Sequence, residues 1–237
     1  MILEGTKTPG ILRVGSAIPD PPFELMREGA PAGLDIDLMQ AICAELGLVW
    51  QLCRYAGDDF EGIYDALDRG EWDCVASGAT VTSAREMKAD FCTPYLVSGQ
   101  SLVCNVERTP NIHSIQDLKG GVIAVQRGNT SEPVVERLKA QGAVADVRLY
   151  PYDGIVTMLD DLDAGRIDAI MKLGPVMHWF TRDRPHLRVV QEGITVEKIA
   201  VAVRRGNDAL RTALEGAQQR LVANGTLAQL TRTWVGS

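Results

Sequence analysis

No stretch of the 237-residue sequence is apolar for long enough to span a bilayer. Its first ten residues, MILEGTKTPG, have neither the charged nor the apolar region of a signal peptide and no lipid-attachment cysteine. The chain is therefore expected to be either cytoplasmic or a mature, trimmed or excised form of an exported protein. Positive charge is scarce. Against 31 Asp and Glu stand 24 Lys and Arg, a formal charge of −7, so no basic stripe can neutralise phosphates and no nucleic-acid partner is expected. There is no Gly-rich phosphate loop, no nucleophile beside a base and no metal-ligand spacing, so neither metal nor cofactor is expected. None of the five cysteines (Cys43, Cys53, Cys74, Cys92, Cys104) forms a CxxC pair. Most lie in apolar runs and read as small core residues. Their odd number leaves at least one unpaired or bonded to another chain, and points towards a reducing compartment.

What is present is enough apolar residue for one large domain or two small ones, arranged as alternating strands and helices. Ile11–Val14 reads as a first strand, ended by the turn Pro19-Asp20-Pro21-Pro22. Leu34–Leu46 is an amphipathic helix with Leu38, Met39, Ile42, Cys43 and Leu46 at helical spacing, acids at its start and Gly47 at its end. A strand Leu48–Cys53, a helix Phe60–Asp68 and a strand Cys74–Ala76 follow, then a strand Gln100–Asn105 that leaves this first group. The pattern then repeats with strands Val122–Val125, Val147–Tyr150 and Asp168–Met171, and helices Ser131–Ala140 and Ile155–Ala164. Strands Leu187–Val190 and Ile199–Val203 precede closing helices Asp208–Ala223 and Thr226–Trp234.

The stretch Ser77–Tyr95 carries the most chemistry. Ser77-Gly78 lets a ligand approach the backbone, Thr80 and Thr82 offer hydroxyls, and Thr82 is placed to cap a short helix bearing Arg85. Helix-end amides, a hydroxyl and a guanidinium together suit a planar anion, most simply a carboxylate. Read alone, the same residues equally describe a strand, a turn and a helix whose Arg85 pairs with Glu86 or Asp90.

An internal echo suggests duplication. Ala66-Leu67-Asp68-Arg69-Gly70-Glu71-Trp72-Asp73 is matched by Asp161-Leu162-Asp163-Ala164-Gly165-Arg166-Ile167-Asp168, in each case a helix end, a Gly stop, an Asp and a buried strand. This predicts an α/β protein with two open, mainly parallel sheets, one per lobe, flanked by helices. Ligands of such sheets sit beyond the carboxyl ends of strands, here near Ser77-Gly78 and Lys172-Leu173.

In order, Leu12-Arg13-Val14-Gly15, Pro22-Phe23-Glu24, Gly33 to Leu38, Ser77 to Thr82 with Arg85, Asp90-Phe91, Pro94-Tyr95, Asp117 to Gly120, Val125 to Thr130, Gly165 to Ala169 and Asn224 to Leu227 resemble the bacterial extracellular solute-binding proteins, family 3. The resemblance covers nearly the whole chain. It implies the two-lobed fold of periplasmic binding proteins, with lobe 1 at 1–98 plus 198–237, lobe 2 at 99–197, and crossing segments near Tyr95–Gly99 and Glu197–Val201. A ligand would be held in the cleft between lobes that close on it. It further implies that Arg85 and Thr80 hold a ligand carboxylate, helped by amides of the Asn129-Thr130 turn, and that the Gly78 carbonyl takes an α-amino group beside Ser77. Phe60 matches an aromatic that covers the ligand side chain, or is a core residue at a helix start.

Two positions depart from the pattern. Where amino-acid binders of this kind carry an acid for the ligand ammonium, this chain has Leu173, next to Lys172, which would favour a second anionic group. Asp20 stands where an aromatic is common, and either supplies a carboxylate or is a solvated turn residue. The expected function is non-enzymatic binding of a small carboxylate-bearing solute, an amino acid or close derivative, for the membrane permease of an ABC importer. The protein would be a periplasmic monomer. The alternatives are a sensor domain of the same fold and a cyclohexadienyl-dehydratase-like enzyme, for which Asp20 is the only acid available in a matching position.

Overall fold

The structure, a computed structural model, describes residues 4–236 and divides into two compact units. Unit 1 takes the chain up to Ala56, then Gly62–Val97, and again from Lys198 onward; unit 2 takes Gly57–Glu61 and Ser98–Glu197. The sequence division keeps residues 57–61 in the first lobe. They group instead with unit 2, because the Tyr152 N–H donates to the Asp58 carbonyl (2.9 Å) and the Phe60 N–H to that of Arg127 (3.3 Å).

The first pass through unit 1 runs β1 (Ile11–Ser16), β2 (Leu25–Arg27), β3 (Ala30–Ala32), α1 (Leu34–Leu46), β4 (Val49–Arg54), α2 (Gly62–Asp68), β5 (Cys74–Val75), α3 (Ser83–Glu86), β6 (Ala89–Phe91) and β7 (Leu96–Ser98). Unit 2 follows with β8 (Gln100–Asn105), β9 (Val122–Gln126), α4 (Ser131–Ala140), β10 (Asp146–Tyr150), α5 (Ile155–Asp163), β11 (Ala169–Leu173), α6 (Gly174–Thr181) and β12 (Leu187–Gln191). The chain returns through β13 (Glu197–Ile199), β14 (Ala202–Arg204), α7 (Asp208–Ala223) and α8 (Thr226–Trp234). The five-stranded sheets have the orders β4-β1-β5-β14-β6 and β10-β9-β11-β8-β12. In each, the first three strands are parallel, and only the fourth runs the other way. That reversed strand, β14 or β8, is the one that follows an entry from the other unit.

The echo read in the sequence is structural. Gly70 and Gly165 each take φ 72°, the left-handed conformation that ends a helix without a Cβ penalty. The Asp73 N–H then donates to the Arg13 carbonyl (2.9 Å), and its carboxylate accepts the Arg13 N–H (2.9 Å). Asp168 does the same with Val122, whose N–H it accepts at 2.8 Å. Each Asp thus sets the register of the third strand against the first.

Two of the expected elements are built differently, while the short strands β2, β3, β6 and β7 were not expected. Helix α2 begins at Gly62 rather than Phe60, because the Asp59 carboxylate accepts the Glu61 N–H (2.8 Å) and holds a turn there. The expected strand Ile199–Val203 is split between β13 and β14, since the Ala200 N–H turns to the Ala79 carbonyl (3.0 Å). All five cysteines are free thiols; burial pushes Cys43, Cys92 and Cys104 up to about 12 and Cys74 well above its ordinary value.

Helix α1 buries Leu34, Ile36, Leu38, Met39, Ile42 and Cys43, and Asp35 with them, at 1% exposure. The Asp35 Oδ2 accepts the Gly78 N–H (2.7 Å) and Oδ1 accepts the Tyr95 hydroxyl (2.5 Å). Burial pushes the Asp35 carboxyl up to about 7, overcoming the opposite pull of those two bonds, and the neighbouring Asp20 charge raises it further. Because the folded value lies above the unfolded one, near 4, the stabilisation from protonated Asp35 is complete below about pH 4 and is lost as pH rises through about 7. Asp35→Asn removes that loss. In urea unfolding, the wild type should weaken relative to Asp35→Asn by on the order of 2–4 kcal/mol between about pH 4 and pH 8. Parallel pH profiles would show that Asp35 stays ionised in the fold.

Candidate functional site

The residues after β5 make the polar end of unit 1. Gly78 has φ 56°, and a Cβ there would meet the Phe23 ring at 3.0 Å, so a side chain is disfavoured. The Ser77 hydroxyl donates to Glu24 Oε1 and accepts the Ala17 N–H (3.0 Å), so it serves the fold. Thr82 Oγ1 accepts the Arg85 N–H (3.2 Å) and caps α3 as expected. Arg85 is only 3% exposed, while Glu86 beside it is exposed. Its Nη1 donates to the Thr80 carbonyl (3.0 Å) and its Cζ lies 5.3 Å from the centre of the Tyr64 ring. Asp90, one of the two partners open to Arg85 in the sequence, accepts the Gly206 N–H instead (2.7 Å). Thr80 is buried and bridges to Ile199.

Asp20 is not the solvated turn residue that was one of its two expectations. It is 6% exposed, and its turn is closed by a backbone bridge to Glu24, with the Asp20 N–H donating to the Glu24 carbonyl at 2.7 Å. In unit 1, Asp20 and Ser77 are both bonded to Glu24, Gly78 to Asp35, and Arg85 to Thr80.

Unit 2 holds the other expected residues. Phe60, 4% exposed, precedes α2 and packs its ring on Tyr152 (centroids 5.1 Å apart), so it is not a helix-start residue. Leu173 ends β11, paired with Gln100, and is 8% exposed. Lys172 is buried; its Nζ donates to Gln126 Oε1 (2.7 Å) and lies 5.5 Å from the Tyr152 ring centre. Asn129 closes the turn after β9, its N–H donating to the Gln126 carbonyl (3.3 Å) and its amide to Gln126 Oε1 (3.4 Å). The Thr130 hydroxyl donates to Glu197 Oε2 (2.7 Å) and accepts from Gln100 Nε2 (3.0 Å). With that proton committed, Thr130 could donate to a further group only through its backbone N–H.

Sequence reasoning missed Asp35, Glu24, Gln126, Tyr152, Gln100 and Glu197. One signal was available: Asp35 stands at i, i+3, i+4, i+7 with Leu38, Met39 and Ile42, on the apolar stripe of α1 rather than its polar face. Glu197 carried no such mark. Its carboxylate accepts from Gln100 Nε2 (2.9 Å) and the Thr195 hydroxyl (2.8 Å), partners about a hundred residues and two residues away in sequence.

Comparison with known proteins gives this geometry a context. Residues 12–237 match the family model of the bacterial extracellular solute-binding proteins, family 3. Over its whole length the chain is 30% identical to the L-cystine-binding protein of Escherichia coli (strain K12), covering 86% of that protein. An ancestral arginine-binding protein bound to arginine is 33% identical, with a TM-score of 0.87 over 96% of this chain and 99% of that one. An ancestral amino acid-binding protein described as a precursor of cyclohexadienyl dehydratase is 28% identical, with a TM-score of 0.83 over 95% of each chain. A two-unit α/β architecture and a match across residues 12–237 thus agree: the chain belongs to the bacterial extracellular solute-binding proteins, family 3, and is a binder rather than an enzyme.

Proposed function

We propose that the protein binds an α-amino acid or a close derivative, with the solute carboxylate held by Arg85 and Thr80 of unit 1. It acts as a periplasmic monomer and passes the solute to the membrane permease of an ABC importer. The observation that carries the reading is Arg85, a residue only 3% exposed, in the segment that follows the carboxyl end of β5, the end at which open α/β sheets take ligands. A guanidinium can engage a carboxylate through two parallel bonds. That relatives include a cystine binder and an arginine-bound ancestor supports an amino acid as the solute.

Calorimetry with the common L-amino acids and L-cystine tests this. At least one should bind, and Arg85→Ala should weaken it by about 30-fold or more, since removing one partner of a buried charged pair costs on the order of 2–5 kcal/mol. Unchanged affinity in Arg85→Ala, or no binding by any amino acid, would overturn the reading.

The amine end is built differently from the family pattern, because Leu173 cannot pair with an ammonium. The buried Asp20 carboxylate of unit 1 takes that role in our reading. Asp20→Asn should then cost an amino acid on the order of 2–5 kcal/mol of binding and leave its deaminated acid nearly unaffected. If the deaminated acid binds at least as well as its parent amino acid, the solute is not recognised through an ammonium and Asp20 has another purpose.

A further inference from the structure

Both oxygens of Asp35 are committed inside unit 1, and to different parts of it. One takes the Gly78 N–H (2.7 Å), at a position where a side chain is disfavoured by φ and by the Phe23 ring. The other takes the hydroxyl of Tyr95 (2.5 Å), which lies two residues before the chain leaves unit 1 at Val97. The Tyr95 N–H in turn donates to the carbonyl of Ile199 (3.0 Å), just after the chain has come back at Lys198. One carboxylate therefore ties the Ser77-Gly78 turn to the segments by which the chain leaves and re-enters the unit.

We propose that Asp35 is a positioning residue for solute binding: its ionised carboxylate accepts from both the Ser77-Gly78 turn and Tyr95, and its neutral form reverses the bond on the Tyr95 side and leaves the Tyr95 hydroxyl proton without an acceptor. The donor arithmetic is specific. An ionised carboxylate only accepts, so it takes both bonds at once. A protonated one must donate, and the Gly78 N–H cannot accept, so the proton lies towards the Tyr95 oxygen and the Tyr95 hydroxyl proton is displaced into a buried space. Asparagine reproduces this neutral arrangement, with its carbonyl towards Gly78 and its amide towards Tyr95. The groups acting on the pair are Asp20 beside Asp35, and Glu24 and Tyr64 beside Tyr95, with Arg85 over the Tyr64 ring. The midpoint near 7 places the change within the ordinary pH range.

The binding arm of the test rests on the amino-acid reading; the spectroscopic arm does not. L-Arginine and L-cystine are titrated calorimetrically into wild type, Asp35→Asn and Tyr95→Phe from about pH 5.5 to about pH 8.5. Wild-type affinity should rise about 3- to 10-fold with pH, the worth of one buried hydrogen bond. Asp35→Asn and Tyr95→Phe should be flat, near the acidic-limb value. At the alkaline end Asp35→Asn should melt above wild type yet bind more weakly, whereas a purely structural Asp35 would lose stability and binding together. An Asp35→Asn protein that binds like wild type at about pH 8.5, or keeps its pH profile, overturns the proposal. Separately, in solute-free protein the Gly78 amide and the Tyr95 ring carbon bearing oxygen should titrate together with a midpoint near 7, and neither should in Asp35→Asn. Absence of that shared titration overturns the proposal whatever the probes do. Should neither amino acid bind wild type, the amino-acid reading is what falls, and the shared titration decides the Asp35 link.

Discussion

A carboxylate buried at 1% exposure is tolerable only if its oxygens find donors, and in unit 1 that requirement fixes three otherwise separate pieces of chain. Helix α1 brings Asp35 into the core, the turn after β5 must present the Gly78 N–H to it, and Tyr95 must reach it before the chain leaves. Displacing any of these leaves a buried charge or a buried donor unsatisfied. The turn that carries Gly78 also leads, within seven residues, to Arg85, so the same constraint sets the start of the segment on which the buried guanidinium is held. Unit 2 has a comparable device. Glu197, the last residue before the chain leaves that unit, takes bonds from Gln100, Thr130 and Thr195. In both units a buried carboxylate joins a polar turn to a residue at or near a crossing.

The matching strand orders explain why the polar residues gather as they do. Each unit has three parallel strands whose carboxyl ends lead into turns or, after β11, straight into α6, and a reversed fourth strand that follows the crossing from the other unit. The Asp that follows each glycine helix stop fixes the third strand against the first at the opposite, amino end. Register is thereby set away from the polar turns, and the residues there are free to be chosen for chemistry. The buried groups differ accordingly: unit 1 places a guanidinium over Tyr64, and unit 2 an ammonium beside Gln126 and Tyr152.

Much of this was legible in the sequence because the determining signals are local. The stripe of α1, the cap at Thr82, the Ser131–Ala140 helix and the glycine stops at 70 and 165 all follow from spacing and backbone preference, and all stand in the structure. The likeness across Ser77 to Arg85 directed attention to the polar turn of unit 1. What was not legible depends on partners distant in sequence. Asp35 read as an acid favouring a helix start, when its place on the apolar stripe meant burial against Gly78 and Tyr95. The grouping of 57–61 with unit 2 rests on backbone bonds to Arg127 and Tyr152, which no local pattern announces. Asp20 has the composition of a solvated turn, yet Glu24 and its surroundings bury it.

The central claim is that the buried guanidinium of unit 1 is the anchor for a solute carboxylate, and a crystal structure of the protein with its bound amino acid tests it most directly. The account predicts a carboxylate with both oxygens about 2.7–2.9 Å from Arg85 nitrogens, the spacing of a charge-assisted pair. The Arg85 side chain should still lie over Tyr64, and the Gly78 N–H should still be bonded to Asp35. A solute whose carboxylate sits elsewhere, with Arg85 making no contact to it, would contradict the account.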